Sequence, residues 1–313
     1  MKLLPINGIS YNVTIPTSTK KCKTSMLKPE QGDTFTFTGK DLLKLSEREI
    51  LNRVKESINY KYFLGQGTEA EVYRIKDSNY CVRIPYEARD LYLSDFTKNV
   101  TDMDKVNHVV AKLGFESTIM KYFEGETPKK YQSNNNERFK FQEKISKLPV
   151  KAYNILLKHI ALGIDNEMKY DFSGGNLIVN FETKELIPID FMEIKENSES
   201  IKPLSQMFSV LTCYGAKKNT ELKIYKKIID SALEEFKPNN IPCMDVELFD
   251  FESIYENILK KHSKHNLEKK MNKINGIIGE LKELKKKEIL DKSYSETLND
   301  KISKTKQEIF AIC

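Results

Sequence analysis

Two short apolar runs constrain the fold of this chain most. Leu177-Ile178-Val179 and Leu186-Ile187-Pro188-Ile189 stand on either side of Asn180-Phe181-Glu182-Thr183, which has the composition of a turn. Runs this short, bounded by turn residues, predict two strands. Polar residues mark their edges: Asn176 precedes the first run and Asp190 follows the second, with Asp171 upstream behind Gly174-Gly175. This placement can aim one carboxylate at an attacking hydroxyl, and an amide and a second carboxylate at Mg²⁺. Oxygen ligands at strand ends suit a hard cation that carries phosphates. Taken singly, each has a plainer reading: Asp171 as a turn cap, Asn176 in an Asx turn, Asp190 as a strand-end carboxylate.

Upstream, Gly65-Gln66-Gly67 lies between apolar residues, as in a strand, a tight loop and a second strand containing Val72. Glycines at 65 and 67 let backbone N–H groups approach a phosphate with no Cβ in the way. Because a strand, not a helix, follows them, a dinucleotide-binding reading fails. The run 79–85 predicts a third strand carrying Arg83, a cation suited to phosphate; its plainer reading is a strand-edge surface charge. Residues 94–112 predict a long helix with Asp102 and Asp104 flanking its apolar face, and either acid can pair with Arg83. Residues 117–125, including Met120 and Tyr122, predict a strand ending in an acidic-glycine turn.

The remaining pattern is helical. Residues 132–136 read as an Asn-rich loop, and 149–164 as a buried helix with Ala152, Ile155, Leu156, Ile160 and Leu162 inside. Further helices are predicted at 204–214 and 220–236. Residues 1–38 read as a loosely ordered leader, followed by a helix from 39 to about 57, or two short helices divided where Ser46 and Glu49 have capping-box spacing. Near the C-terminus, Leu267, Met271, Ile274, Ile278 and Leu281 repeat at 4-3-4-3 spacing, while Leu298, Ile302 and Ile309 share a face, predicting a helical hairpin on the main domain.

The composition, 39% hydrophobic and 31% charged, is that of a soluble globular protein, and no apolar run approaches the roughly 18 residues a membrane helix needs. The N-terminus has no apolar core of a cleaved signal. Five scattered cysteines without a Cys-x-x-Cys pair argue against a disulfide scaffold or structural zinc and for a reducing compartment, and His262 and His265 form no convincing metal pair. The net charge of +6 is carried by the last 54 residues. This basic tail suits an anionic membrane surface, with a solvated helix face as the plainer reading; nucleic acid is not expected.

Taken in order, Gly65-x-Gly67, Arg83, Gly125, Asp171-x4-Asn176 and Asp190 resemble a protein kinase, and most closely the small bacterial type III effector kinases of the OspG/NleH type. The likeness is strongest at Gly163-Ile164, Asp171, Asn176, Leu177-Ile178 and Pro188-Ile189-Asp190, and covers about residues 60–215. The resemblance implies an α+β, bilobal fold with an antiparallel small-lobe sheet and a helical large lobe. The domain division is then 1–57 leader and N-terminal helix, 58–240 kinase-like domain, and 241–313 helical hairpin. It also implies transfer of the γ-phosphoryl group of ATP to a protein Ser or Thr. Asp171 would take the hydroxyl proton, Asn176 and Asp190 would hold Mg²⁺, the loop of Gly65, Gln66 and Gly67 would cover the phosphates, and Val72 with the hinge segment of Met120 and Tyr122 would meet the adenine ring. Secretion into a host cell, a host protein substrate, and ubiquitin or a ubiquitin-loaded conjugating enzyme as partner follow from the resemblance alone. Arg83 stands where such kinases carry lysine, Lys169-Tyr170 replace His-Arg, Ser173 replaces a phosphate-contacting lysine for which Lys169 can compensate, and Met192 replaces the glycine of Asp-Phe-Gly. These departures keep two other classes in view: a pseudokinase scaffold, and a small-molecule phosphotransferase of the aminoglycoside or choline kinase kind.

Overall fold

The computed structural model describes residues 41–67, 69–88, 95–194, 202–238, 246, 249–251 and 267–312. The expected leader, most of the 239–266 linker with its two histidines, and Cys22, Cys243 and Cys313 lie outside them.

Alternation along short strands builds the first half of the molecule. Strands β1 (Phe63–Gln66), β2 (Ala70–Arg74), β3 (Tyr80–Pro85), β4 (Val109–Lys112) and β5 (Thr118–Lys121) form one antiparallel sheet in the order β1-β2-β3-β5-β4. Successive side chains point to opposite faces. On one face Tyr73, Val82, Ile84, Ala111 and Ile119 are buried against Ile50 and Val54 of helix α1 (Glu47–Ser57). The capping box expected at its start is present: Ser46 N–H donates to Glu49 Oε2 at 3.0 Å, and Glu49 N–H to Ser46 Oγ at 3.4 Å. On the other face Val72 and Cys81 pack against Ile178, Ile187 and Ile189.

Those isoleucines belong to the predicted pair of runs, which form the hairpin of β7 (Leu177–Asn180) and β8 (Glu185–Pro188), paired Leu177 to Pro188 through Asn180 to Glu185. A second short pair joins β6 (Met168–Tyr170) to β9 (Phe191–Glu193). Around them lie α3 (Asn135–Ser146), α4 (Val150–Asp165), α5 (Pro203–Leu211) and α6 (Lys218–Glu235), sharing one apolar core. The expected C-terminal hairpin is present as α7 (Leu267–Leu290) and α8 (Ser295–Ile312). Its Met271, Ile274, Ile278, Leu281, Leu298, Ile302 and Ile309 are buried in that same core. A fully buried Lys285–Glu288 pair closes its turn, and Lys285 Nζ donates to Lys237 O beyond α6 at 3.0 Å. The architecture is thus α+β, with a five-stranded antiparallel sheet and a helical part. No helix among the described residues is long and apolar enough to cross a membrane.

Two expectations need correction here. The long helix over 94–112 is only the five-residue α2 (Asp102–Val106), and 109–112 is β4. His108, at φ 62°, ends the helical path, and the Val109-Val110 pair that read as a helix face suits a strand beside β5. The loop expected at 132–136 closes at Asn134, whose side chain caps α3, a helix the pattern did not reveal.

Two glycines allow close approaches that the site depends on. A Cβ at Gly125 would lie 2.6 Å from Val179 O. Without one, Glu126 pairs with Val179 through backbone bonds of 3.0 and 2.8 Å, tying the segment after β5 to the hairpin. A Cβ at Gly163 would lie 2.6 Å from the Phe191 ring, which is buried against α4 beside Asp190. Gly163→Ala should therefore overpack this contact and cost about 1–3 kcal/mol, read as a lower melting temperature. An unchanged melting temperature would contradict the packing described.

Candidate functional site

The turn from β6 into β7 and the joint between β8 and β9 place Asp171, Asn176 and Asp190 side by side. Backbone bonds lock the loops: Asp171 N–H donates to Asp190 O at 3.0 Å, and Ile189 N–H to Asn176 O at 2.8 Å. The buried Tyr170 hydroxyl donates to the same Asn176 carbonyl at 2.6 Å. Asn176 is itself buried, and its Nδ2 donates to Asp171 Oδ2 at 2.7 Å and Asp190 Oδ2 at 3.2 Å. One amide thus bridges two carboxylates. Burial and the neighbouring Asp171 charge raise the Asp190 pKa above the ordinary carboxylate range, against the opposing pull of Arg83 and the Asn176 bond. Asp190 also adopts φ 71°, a left-handed conformation uncommon for a residue with a side chain.

Arg83 reaches this group from the other half. In β3, period-two alternation puts it on the face of Cys81, away from Val82 and Ile84, and so toward the hairpin. Its charge acts on Asp190, as does that of Glu69 in the β1–β2 turn. Here the expected ion pair is corrected: Arg83 Nη2 lies 3.6 Å from Glu69 Oε2, and neither Asp102 nor Asp104 is its partner. Asp102 pairs with Lys105 and Asp104 with Lys112, each at 2.7 Å. Although burial acts to raise it, the Lys112 bond and the Thr101 cap hold Asp104 below the usual carboxylate range. With α2 reduced to five residues, both acids are spent on local structure.

The other predicted residues divide. Gly65 and Gln66 lie in β1, while Gly67 follows it, donating its N–H to Ala70 O at 2.8 Å and accepting the Tyr86 hydroxyl at 2.8 Å. Val72 and Tyr122 are buried in the apolar seam between the halves, with Met120 packed against it. The Arg74 guanidinium lies 4.2 Å from the centre of the Tyr122 ring. Cys81 fills the same seam, its thiol directed at the carbonyls of Met120 and Lys121 at 3.7 and 3.6 Å; burial pushes its pKa up to about 12, so it is not a reactive thiol. Lys169 stands in β6 opposite Met192. No hydrogen bond or ion pair between Lys169 and the three polar residues is present among the described contacts.

A second layer, which the sequence pattern does not reveal, lies behind these residues. Asn107 Nδ2 donates to Phe191 O at 3.0 Å, and Phe191 N–H donates to Asn107 Oδ1 at 2.8 Å. His108 Nε2 is bonded to Pro188 O at 2.8 Å, and His159 Nε2 to Val106 O at 2.9 Å. The two imidazoles lie 4.7 Å apart, with Phe123 beside one and Phe191 beside the other. The only visible signal was a polar Asn-His pair interrupting an apolar pattern.

Compared with known protein families, characterised proteins and solved structures, the chain has no significant match.

Burial holds His159 down at about pKa 4, and His108 is depressed well below its ordinary value by burial and by its partner. A histidine with a depressed folded pKa contributes stability that is complete above its unfolded pKa of about 6.5 and is lost as pH falls toward the folded value. For His159 the full span is worth about 3 kcal/mol. The melting temperature should therefore drop between pH 6.5 and 4, with a shallower slope in His159→Gln, which keeps a donor for Val106 O without titrating there. Parallel slopes in both proteins would contradict a buried neutral His159.

Proposed function

We propose that this chain transfers the γ-phosphoryl group of ATP to a protein Ser or Thr, on a kinase-like bilobal scaffold. The observation that carries the reading is the convergence of Asp171, Asn176 and Asp190 within range of the Arg83 charge. Residues far apart in sequence meet where two halves join: one amide bonds both carboxylates, and the charges of Arg83 and Glu69 act on Asp190.

Two carboxylates and an amide suit Mg²⁺, which takes few protein oxygens and completes its shell with phosphate and water. Among the described residues no group of three or more His, Cys, Asp or Glu is assembled, so a metal cage made by the protein alone is not the expected design. The Asn176 amide supplies partial positive charge between the two carboxylates, where a cation would relieve the same repulsion. Asn176 and Asp190 would hold the ion, whose chemistry is neutralisation of phosphate charge. Asp171 would orient the acceptor hydroxyl and take its proton. Arg83 would face the phosphates, Glu69 being its exchangeable partner, and the base would lie at the edge of the apolar seam beside Val72, Met120 and Tyr122.

A role as a secreted effector acting on host proteins, with a ubiquitin-bearing partner, extends this reading through the family resemblance. A binding scaffold without turnover is favoured by one observation: Arg83 is already engaged by Glu69.

Incubation with γ-labelled ATP, Mg²⁺ and a protein mixture tests the reading. Label should appear on protein and fall by at least about 10²-fold in Asp171→Ala and Asp190→Ala. Label that persists in Asp190→Ala would remove the metal assignment, and nucleotide binding without turnover would favour the scaffold. Arg83→Lys should change nucleotide affinity, whereas a surface arginine would leave it unaltered.

A further inference from the structure

Asp190 is held by a corner of the sheet half that takes no part in the proposed chemistry. Asn107, just after α2, makes with one side chain the two bonds to Phe191 that a neighbouring strand would make, at 3.0 and 2.8 Å. The next residue, His108, is bonded to the carbonyl of Pro188 at 2.8 Å. The backbone on both sides of Asp190 is therefore gripped by two adjacent residues more than 80 positions away in the chain. The corner is anchored in turn: His159 of α4 holds Val106 O at 2.9 Å, and His108 N–H donates to Lys105 O at 3.0 Å.

A grip of this kind has a physical reason. A residue with a side chain in the left-handed region persists only where its surroundings over-determine it. Asp190 is in that region at φ 71°, and its partly buried carboxylate lies beside another carboxylate. The bonds from Asp171 N–H and Ile189 N–H hold this segment on the hairpin side, and Asn107 and His108 hold it on the other, together fixing the φ that brings Oδ2 to Asn176.

We propose that Asn107 is a positioning residue for Asp190: its two-sided bond to Phe191 fixes the direction in which that carboxylate meets the metal. This rests on the phosphoryl-transfer reading and extends it, because it places control of the metal-holding carboxylate in the α2–β4 corner of the other half. A merely structural role would cost stability alone; a positioning role changes metal affinity as well.

The test uses the full chain, with Mn²⁺ as a paramagnetic substitute for Mg²⁺ and a non-hydrolysable ATP analogue. Free Mn²⁺ is titrated by electron paramagnetic resonance, and amide exchange is followed at Phe191. Asn107→Ala should weaken Mn²⁺ binding in the ternary complex about tenfold, as expected for losing two partly buried hydrogen bonds, and speed exchange at Phe191. Asn107→Asp keeps an acceptor for Phe191 N–H and should show a smaller loss, which also serves if the alanine variant fails to fold. Ser57→Ala is the control. Ser57 Oγ donates to Arg53 O and accepts from Lys76 N–H in the α1 region, so its loss should lower the melting temperature and leave Mn²⁺ affinity unchanged. Wild-type Mn²⁺ affinity in Asn107 variants would overturn the positioning role while the proposed function stands. A wild-type chain that binds neither Mn²⁺ nor nucleotide would overturn both.

Discussion

The Asn176 amide between Asp171 and Asp190 is the interaction on which the rest of the site depends. Two carboxylates in a partly buried place repel each other, and burial alone penalises their charged forms. Hydrogen bonds of 2.7 and 3.2 Å from one NH₂ group let both remain there. That amide is fixed because its backbone carbonyl accepts from Tyr170 and Ile189 together. The buried β7–β8 hairpin and the β6–β9 pair therefore act as the frame of a small polar site, and their apolar faces supply its rigidity.

Two halves of the chain meet over this frame. The sheet turns Val72, Cys81 and Arg83 toward it and Tyr73, Val82 and Ile84 toward α1, by strand alternation alone. Gly125 and Glu126 stitch the segment after β5 to β7, while Asn107 and His108 grip the backbone around Asp190. The halves are thus joined at the segment after β5 and at the backbone on either side of Asp190.

Much of this was legible in the residues because the signals were local. The hairpin follows from two apolar runs and a turn, α1 from a capping box, α4 from apolar residues at helical spacing, and the C-terminal hairpin from a 4-3-4-3 repeat. Asp171, Asn176 and Asp190 could be named because their spacing brackets that hairpin. What stayed hidden was decided by tertiary contact. Val109 and Val110 satisfy helical periodicity and strand propensity equally, and only pairing with β5 and the His108 backbone choose between them. Once that helix shrank to five residues, Asp102 and Asp104 lost their route to Arg83, and Glu69 took the place from the β1–β2 turn. Asn107 was invisible for the same reason: nothing in a linear pattern says which backbone a side-chain amide will read.

The central claim is that Asn176 and Asp190 hold a divalent ion against nucleotide phosphates while Arg83 faces them from the sheet. A crystal structure of the chain with Mg²⁺ and a non-hydrolysable ATP analogue tests it most directly. The expected result has the ion ligated by Asn176 Oδ1 and an Asp190 carboxylate oxygen, the phosphates between that ion and Arg83, and the Arg83–Glu69 contact exchanged for a phosphate. A nucleotide bound elsewhere, or an ion that ignores both side chains, would contradict it.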